Sequence, residues 1–347
     1  MLNRNYSLDV IRALAIICVV ANHSIELLFP FDYKTNGVEL FCDMSFTYQV
    51  FQFVVFTMGR LGVPLFFMLT GYLLVTREYD TKEKIIKFYR RNFLGLVLVW
   101  YVWILLYNTY FAIFGQKQFV IQDVLSELFL IRQVPLTHTW FMNEIITIYA
   151  IIPVLSYFLK KVGHIQEFVV GILLLSAINS YFGGIQHVGF FVTKLMYVAY
   201  VIAGYYFSVA KEPPRKLFSI SLFIIGFMAI VGWQIYGYHH FSKPSNIWYT
   251  NPFLYIVSLS LSSMLFMHKW EKGRLSYYIE TISSISFGIY LLHIPVMEVT
   301  ISKLPSFAGA TIFNVISLFF ISSVVCPVII LMMIKIPLIG KPLFHIK

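Results

Sequence analysis

Long apolar runs separated by short polar segments extend through the whole chain. Ten of them reach the length of a helix that crosses a bilayer, which takes about 20 residues: 8–28, 48–76, 92–114, 139–159, 166–182, 189–209, 217–237, 252–268, 276–300 and 309–334. The second run contains Arg60, Gly62 and Pro64, which predicts either a kinked helix or an interfacial helix followed by a span. The pattern predicts an all-α polytopic membrane protein with about ten transmembrane helices.

The composition narrows the class of protein further. Of the 347 residues, 59% are hydrophobic and 12% are charged, against about 25% charged residues in ordinary soluble domains. This excludes a disordered chain, a disulfide-stapled secreted module and a soluble enzyme. Ten spans leave only short loops, so we predict a single membrane-embedded domain over residues 1–347, without a separate soluble domain. The three cysteines lack metal or redox spacing, and we predict no metal site.

The net charge of +10 is explained by the orientation of the helices in the membrane. Ten spans place both termini on one side, where the loops and termini carry 18 Lys and Arg, against five on the other side. Because basic residues collect in cytoplasmic loops, both termini are predicted to be cytoplasmic. We therefore expect membrane lipid, and no nucleic acid, as a partner.

Polar side chains inside the first apolar run are the strongest functional candidates. Asp9, Arg12, His23 and Glu26 share one stripe of a helix, because the eleven residues from Arg12 to His23 turn it by about 1100°. A polar stripe on a spanning helix must face protein or water. Alternatively, Arg12 is an ordinary cytoplasmic anchor and His23 a packing histidine.

Three further clusters stand out. The basic segment 82–91 ends in Arg90 and Arg91, and it fits either lipid headgroups or an anionic cofactor bound at a helix start. His138, Trp140 and Glu144 mark the outer start of the fourth span, where Glu144 could also face water and Trp140 could belong to an interfacial belt. The third cluster lies in the ninth span and comprises Ser286, Tyr290 and His293.

Together these clusters resemble the acyltransferase-3 family, whose members acylate cell-surface glycans and related molecules. Its motifs occur here in order: Leu8-Asp9-Val10-Ile11-Arg12 with His23, Val63 to Tyr72 with Thr70 for the usual Ser, Arg90-Arg91, His138 with Trp140-Phe141-Met142, Tyr149 and Pro153, and Ser286 with Tyr290 and His293. The resemblance extends from residue 4 to about residue 300.

The resemblance implies an acyl-CoA-dependent O-acyltransferase in a bacterial cytoplasmic membrane. The donor would be cytoplasmic acyl-CoA, with acetyl-CoA expected and succinyl as the alternative. The acceptor would be a hydroxyl of a cell-surface polysaccharide or its precursor, so O-acetylation of the cell envelope is the expected process. Polysaccharide-synthesis proteins are the expected protein partners.

Roles follow from the resemblance and from the chemistry of the side chains. His23 is predicted to be catalytic, with Asp9 or Glu26 orienting it. It acts either as a general base on the acceptor hydroxyl or as a nucleophile that carries the acyl group as an acyl-imidazole. Arg12, Arg90 and Arg91 are predicted to bind the phosphates of acyl-CoA. The clusters around His138 and His293 are assigned to a substrate or structural site.

Two other classes of function fit the same polar stripe. The first is a transporter or flippase that moves a glycan or a small metabolite without acyl chemistry. The second is a structural or sensory subunit of a polysaccharide-synthesis complex. Consumption of acyl-CoA by the purified protein separates the enzyme from both alternatives.

Overall fold

The computed structural model describes residues 5–29, 41–114, 118–161, 165–181, 186–212, 214–241, 247–304 and 311–346. Within these ranges the regular structure is helical, and they contain no β-strand. The helices are α1 (Tyr6–Glu26), α2 (Phe46–Arg60), α3 (Gly62–Thr70), α4 (Lys82–Phe88), α5 (Leu94–Ile113), α6 (Ile121–Leu128), α7 (Trp140–Lys161), α8 (Ile165–Tyr181), α9 (Gln186–Val209), α10 (Lys216–Phe241), α11 (Pro252–Phe266), α12 (Ser276–Lys303), α13 (Ile312–Met333) and α14 (Gly340–Leu343).

A helix occupies each of the ten predicted spans. Among the described residues, eight helical segments are long and apolar enough to cross a membrane, and the two remaining apolar helices, Glu167–Ile178 and Pro252–Phe266, are shorter. Large apolar side chains such as Leu98, Val154 and Ile225 are exposed on the long helices, as lipid contact requires. The prediction of a helical polytopic membrane protein is confirmed. The cytoplasmic placement of both termini stays a prediction.

The second span is a kinked helix, one of the two forms that its sequence predicts. Helix α2 ends at Arg60, Leu61 forms the junction, and α3 begins at Gly62. Pro64 lacks the N–H that would bond to the carbonyl of Arg60, which breaks the helical ladder at this point. The span then finishes in a π-helical turn at Gly71–Val75.

The third span begins earlier than predicted. The sequence indicates a loop up to residue 92, with Arg90 and Arg91 at the start of the helix. Instead α4 begins at Lys82 and continues through a π-helical turn, Tyr89–Phe93, into α5. The arginine pair therefore lies inside a continuous helical segment, where the backbone N–H groups already serve the helix. Any anion bound there must be held by side chains.

The contacts divide the chain into two units, of which the first comprises residues 1–76 and 164–327. Helix α1 lies at its centre and packs against α2, α3, α11 and α12. The approach is close because glycines face α1: a Cβ on Gly62 would lie 2.6 Å from the carbonyl oxygen of Ala15. A Cβ on Gly59 would likewise clash with Asn22 of α1. These contacts bring Arg60, which follows Gly59, next to the C-terminal end of α1.

The second unit comprises residues 77–163 and 328–347. Partly buried hydrogen bonds hold its helices together. The Trp103 indole N–H donates to the carbonyl of Leu343 at 2.8 Å, and the Tyr89 hydroxyl donates to the carbonyl of Ala150 at 2.8 Å. Helix α6 of this unit covers Ile121–Leu128.

Candidate active site

His23 lies buried on α1, with 7% of its surface exposed, and its nearest described polar contact is a carboxylate. Its Nδ1 is 2.8 Å from Oε2 of Glu26, one turn further along the helix. Next to a carboxylate, a neutral imidazole is expected to carry its proton on Nδ1, which leaves the lone pair on Nε2. This is the tautomer that a base or a nucleophile acting through Nε2 requires.

Glu26 is itself held on both oxygens. The Asn22 amide donates to Oε2 at 2.7 Å, and the Arg60 guanidinium donates to Oε1 at 2.5 Å. Glu26 is one of the two residues predicted from the sequence to orient His23, and the geometry fits this role. The sequence does not assign Arg60 to the site. A charged residue in an apolar run was the signal that could have found it.

Aromatic rings surround the Arg60 guanidinium, which is only 4% exposed. Its central carbon lies 4.5 Å from the Phe56 ring, 4.7 Å from the Trp248 ring and 5.0 Å from the Tyr249 ring. The Tyr249 hydroxyl also accepts from Nη1 at 3.1 Å. Burial raises the pKa of Tyr249 above its usual value although the Arg60 charge opposes this, so the tyrosine stays a neutral acceptor. The aromatic enclosure fixes Arg60 and keeps its ion pair with Glu26 away from water.

His293 on α12 meets His23 inside this unit. The centroids of the two imidazole rings are 5.1 Å apart and the ring planes are tilted by 43°. Nδ1 of His293 lies 2.7 Å from the carbonyl oxygen of Tyr290 and 3.2 Å from that of Ile289. Ser286, from the same predicted cluster, donates to the carbonyl of Ser283 at 2.9 Å. Of this cluster, His293 is therefore the member whose ring is placed beside His23.

Asp9 and Arg12 form a separate cluster toward the other end of α1. The Ser283 hydroxyl donates to Asp9 at 2.6 Å and accepts from Arg12 at 3.1 Å, while Arg12 lies 3.6 Å from Asp9. The fourteen residue steps from Asp9 to His23 span about 21 Å of helix. The suggestion that Asp9 orients His23 does not fit this distance. The Arg12 side chain is 30% exposed, and its binding of acyl-CoA stays a prediction.

A cationic cavity of about 330 Å³ lies in the second unit. It is lined by Arg77, Glu78, Tyr79, Lys84, Lys87, Phe88, Arg91 and Asn92. Four of these residues are basic and one is acidic, which favours an anionic ligand. Of the predicted pair, Arg91 lines this cavity and Arg90 does not. The ring of Tyr79 meets that of Phe88 edge-on at 5.3 Å, and burial raises the pKa of Tyr79 to about 12.

The cluster around His138 also lies in the second unit, where its histidine contacts helix α5. Nε2 of His138 is 3.3 Å from the Tyr107 hydroxyl, and His138 is buried. Trp140 begins α7, and Glu144 lies half-buried on it. A second buried pair that the sequence does not indicate lies on α5 and α6, where the Asn108 amide donates to Glu127 at 2.6 Å. The substrate or structural role predicted for this cluster stays a prediction.

Within the described ranges, no group of three or more His, Cys, Asp or Glu side chains is placed to share a metal ion. The expectation that the protein works without a metal stays a prediction.

Comparisons with known proteins identify the family. The family profile described as an acyltransferase domain matches residues 5–333, nearly the whole chain. An amino-acid racemase from Enterococcus faecalis is 27% identical over 192 residues, a match that covers 54% of this chain and 24% of the racemase. The chain thus spans about a quarter of that relative's length. No solved structure matches. The chain belongs to the acyltransferase-3 family of membrane acyltransferases.

Proposed function

We propose that this protein transfers an acyl group, acetyl in the first instance, from cytoplasmic acyl-CoA to a hydroxyl of a cell-surface polysaccharide or its precursor. Its place is a bacterial cytoplasmic membrane. The observation that carries the proposal is the buried His23, whose Nδ1 lies 2.8 Å from a carboxylate oxygen of Glu26. The family supplies acyl transfer in general, and the donor and the acceptor are our proposal.

A sugar hydroxyl is a weak nucleophile, so its attack on a thioester needs a base or a covalent intermediate. A histidine that takes the proton during attack contributes about 10²–10⁴-fold to the rate. In either mechanism His23 acts through Nε2 and gains positive charge on its ring. Glu26 stabilises that charge across 2.8 Å, and Arg60 keeps Glu26 ionised and in place across 2.5 Å.

The donor carries several phosphate charges and therefore needs cations at its binding site. The cavity of the second unit presents Arg77, Lys84, Lys87 and Arg91, which supports the assignment of this region to acyl-CoA. Lys84 also lies 2.7 Å from Asp80 and 3.0 Å from Glu78, so part of its charge is already neutralised. Arg91 is the stronger candidate, because a guanidinium binds phosphate through two parallel hydrogen bonds.

The adjacent arginines offer a matched pair of variants. We expect Arg91→Ala to raise the apparent KM for acetyl-CoA by about tenfold with little change in kcat, since a charge-assisted bond is worth about 1.5–3 kcal/mol. Arg90→Ala is expected to change KM by less than about threefold, because Arg90 does not line the cavity. Steady-state kinetics with the two purified variants measure this difference. A cavity that binds only lipid headgroups would leave both KM values unchanged.

The test of the proposed function uses the purified protein in detergent with labelled acetyl-CoA. We expect slow release of CoA without acceptor, because water replaces the sugar hydroxyl, and at least tenfold faster release with a cell-envelope polysaccharide. Label recovered in that polysaccharide identifies the acceptor class. A transporter would neither bind acetyl-CoA nor release CoA, and that result would refute the proposed donor.

A further inference from the structure

The imidazole rings of His23 and His293 lie against each other, and this placement indicates a mechanism of acyl transfer. We propose that transfer is a double displacement, in which His23 carries the acyl group and His293 is the base that activates the acceptor hydroxyl. This inference rests on the proposed function, since it assumes a thioester donor. It assigns a catalytic role to His293, which the family match does not do.

The tautomers of the two rings support these roles. Nδ1 of His23 faces the Glu26 carboxylate at 2.8 Å, and Nδ1 of His293 faces the Tyr290 carbonyl at 2.7 Å. Both partners accept hydrogen bonds, so each ring carries its proton on Nδ1 and its lone pair on Nε2. The two Nε2 nitrogens that hold these lone pairs belong to rings whose centroids are 5.1 Å apart.

The two rings differ in the support for positive charge. Nδ1 of His23 lies 2.8 Å from Glu26, so the charge that forms on its ring during acylation is balanced by a carboxylate. Nδ1 of His293 hydrogen-bonds to neutral backbone carbonyls, and the ring is fully buried. His23 is therefore the better carrier of a charged acyl-imidazole, and His293 is left as the ring whose Nε2 can take the acceptor proton.

The chemistry requires a second base once His23 is acylated. In the first step Nε2 of His23 attacks the thioester carbon, the C–S bond breaks, and CoA leaves as a thiolate. The acylated Nε2 has no free lone pair left, and Nδ1 carries the proton that faces Glu26, so this ring cannot deprotonate the acceptor. The ring that lies against it belongs to His293.

The second step completes the transfer. The acceptor oxygen attacks the acyl carbon, its proton moves to Nε2 of His293, and the bond between the carbon and Nε2 of His23 breaks. His293 then gives the proton up to solvent, and the released CoA thiolate takes up a proton from solvent. The net reaction converts a thioester and an alcohol into an ester and a thiol, with no other reactant.

The variant His293→Asn separates the two steps. The asparagine amide N–H can replace Nδ1–H on the Tyr290 carbonyl, while the base at Nε2 is lost. With acetyl-CoA and labelled CoA, exchange of label into acetyl-CoA reports the first step and needs no acceptor. We expect exchange within about threefold of wild type, hydrolysis of acetyl-CoA lowered at least about 100-fold, and an acetyl group on His23 detectable by mass spectrometry of the quenched protein.

Each other outcome has a defined meaning. Hydrolysis by His293→Asn at the wild-type rate, or parallel loss of exchange and hydrolysis, would overturn the role of His293 as base. His293→Gln repeats the test if the first variant does not fold, and His240→Asn, at an exposed ring stacked on Tyr236, is the control. Wild-type protein that releases CoA without exchange would overturn the double displacement alone. Failure to release CoA at all would remove the proposed function with it.

Discussion

Replacing His23 by alanine is expected to lower the turnover of acetyl-CoA by at least about 100-fold. The residue is 7% exposed and supplies the nitrogen that either takes the acceptor proton or carries the acyl group. Both mechanisms lose their reacting atom in this variant. The loss should appear in kcat, because His23 is not one of the cations assigned to the CoA phosphates.

The control for this variant is another histidine of the same unit. His240→Ala removes an exposed ring that stacks on Tyr236 at 3.9 Å, and it should turn over acetyl-CoA within about twofold of wild type. The measurement is CoA release by purified protein, with thermal unfolding in detergent showing that each variant is folded. A folded His23→Ala protein with wild-type turnover would remove His23 from the mechanism.

Removing the charge of Glu26 should affect both stability and catalysis. Glu26→Gln leaves the Arg60 guanidinium enclosed by aromatic rings without its carboxylate. Loss of one partner from a buried ion pair costs about 3–5 kcal/mol. The same variant removes the negative charge that stabilises a cationic His23 ring, so we expect turnover to fall by about 100-fold or more.

Two further variants separate these effects. Glu26→Gln combined with Arg60→Met removes both charges, and we expect it to recover most of the lost stability but none of the lost turnover. Glu280→Gln is the matched control, because Glu280 pairs with the exposed Lys272 at 2.6 Å and such pairs contribute about 0–1 kcal/mol. Thermal unfolding and CoA release are measured on the same preparations. Recovery of turnover in the double variant would show that the charge of Glu26 serves only stability.

The amino-acid sequence predicts the helices well because a bilayer demands long apolar segments. All ten predicted spans contain helices, and the start of α11 at Pro252 agrees to the residue. The start of α4 at Lys82 was missed, because its basic residues interrupt the apolar pattern without interrupting the helix. The kink beside Pro64 was predicted as one of two forms, since proline removes a specific backbone bond.

The candidate site could be predicted only along a single helix. His23 and Glu26 are three residues apart on α1, so their contact follows from helical spacing. Asp9 shares their stripe but lies about 21 Å along the axis from His23, and the error came from treating a shared face as proximity. Arg60 and His293 reach the site through packing between helices, which the periodicity of one helix does not determine.

Single-turnover release of labelled CoA, measured together with acetyl-CoA binding, tests the central claim most directly. Wild-type protein and His23→Ala should bind acetyl-CoA with similar affinity, because the cations assigned to the phosphates are unchanged. Wild-type protein should then release CoA, and His23→Ala should release it at least about 100-fold more slowly. Equal release rates from the two proteins, or no release from wild type despite binding and added acceptor, would contradict the assignment of acyl-CoA chemistry to His23.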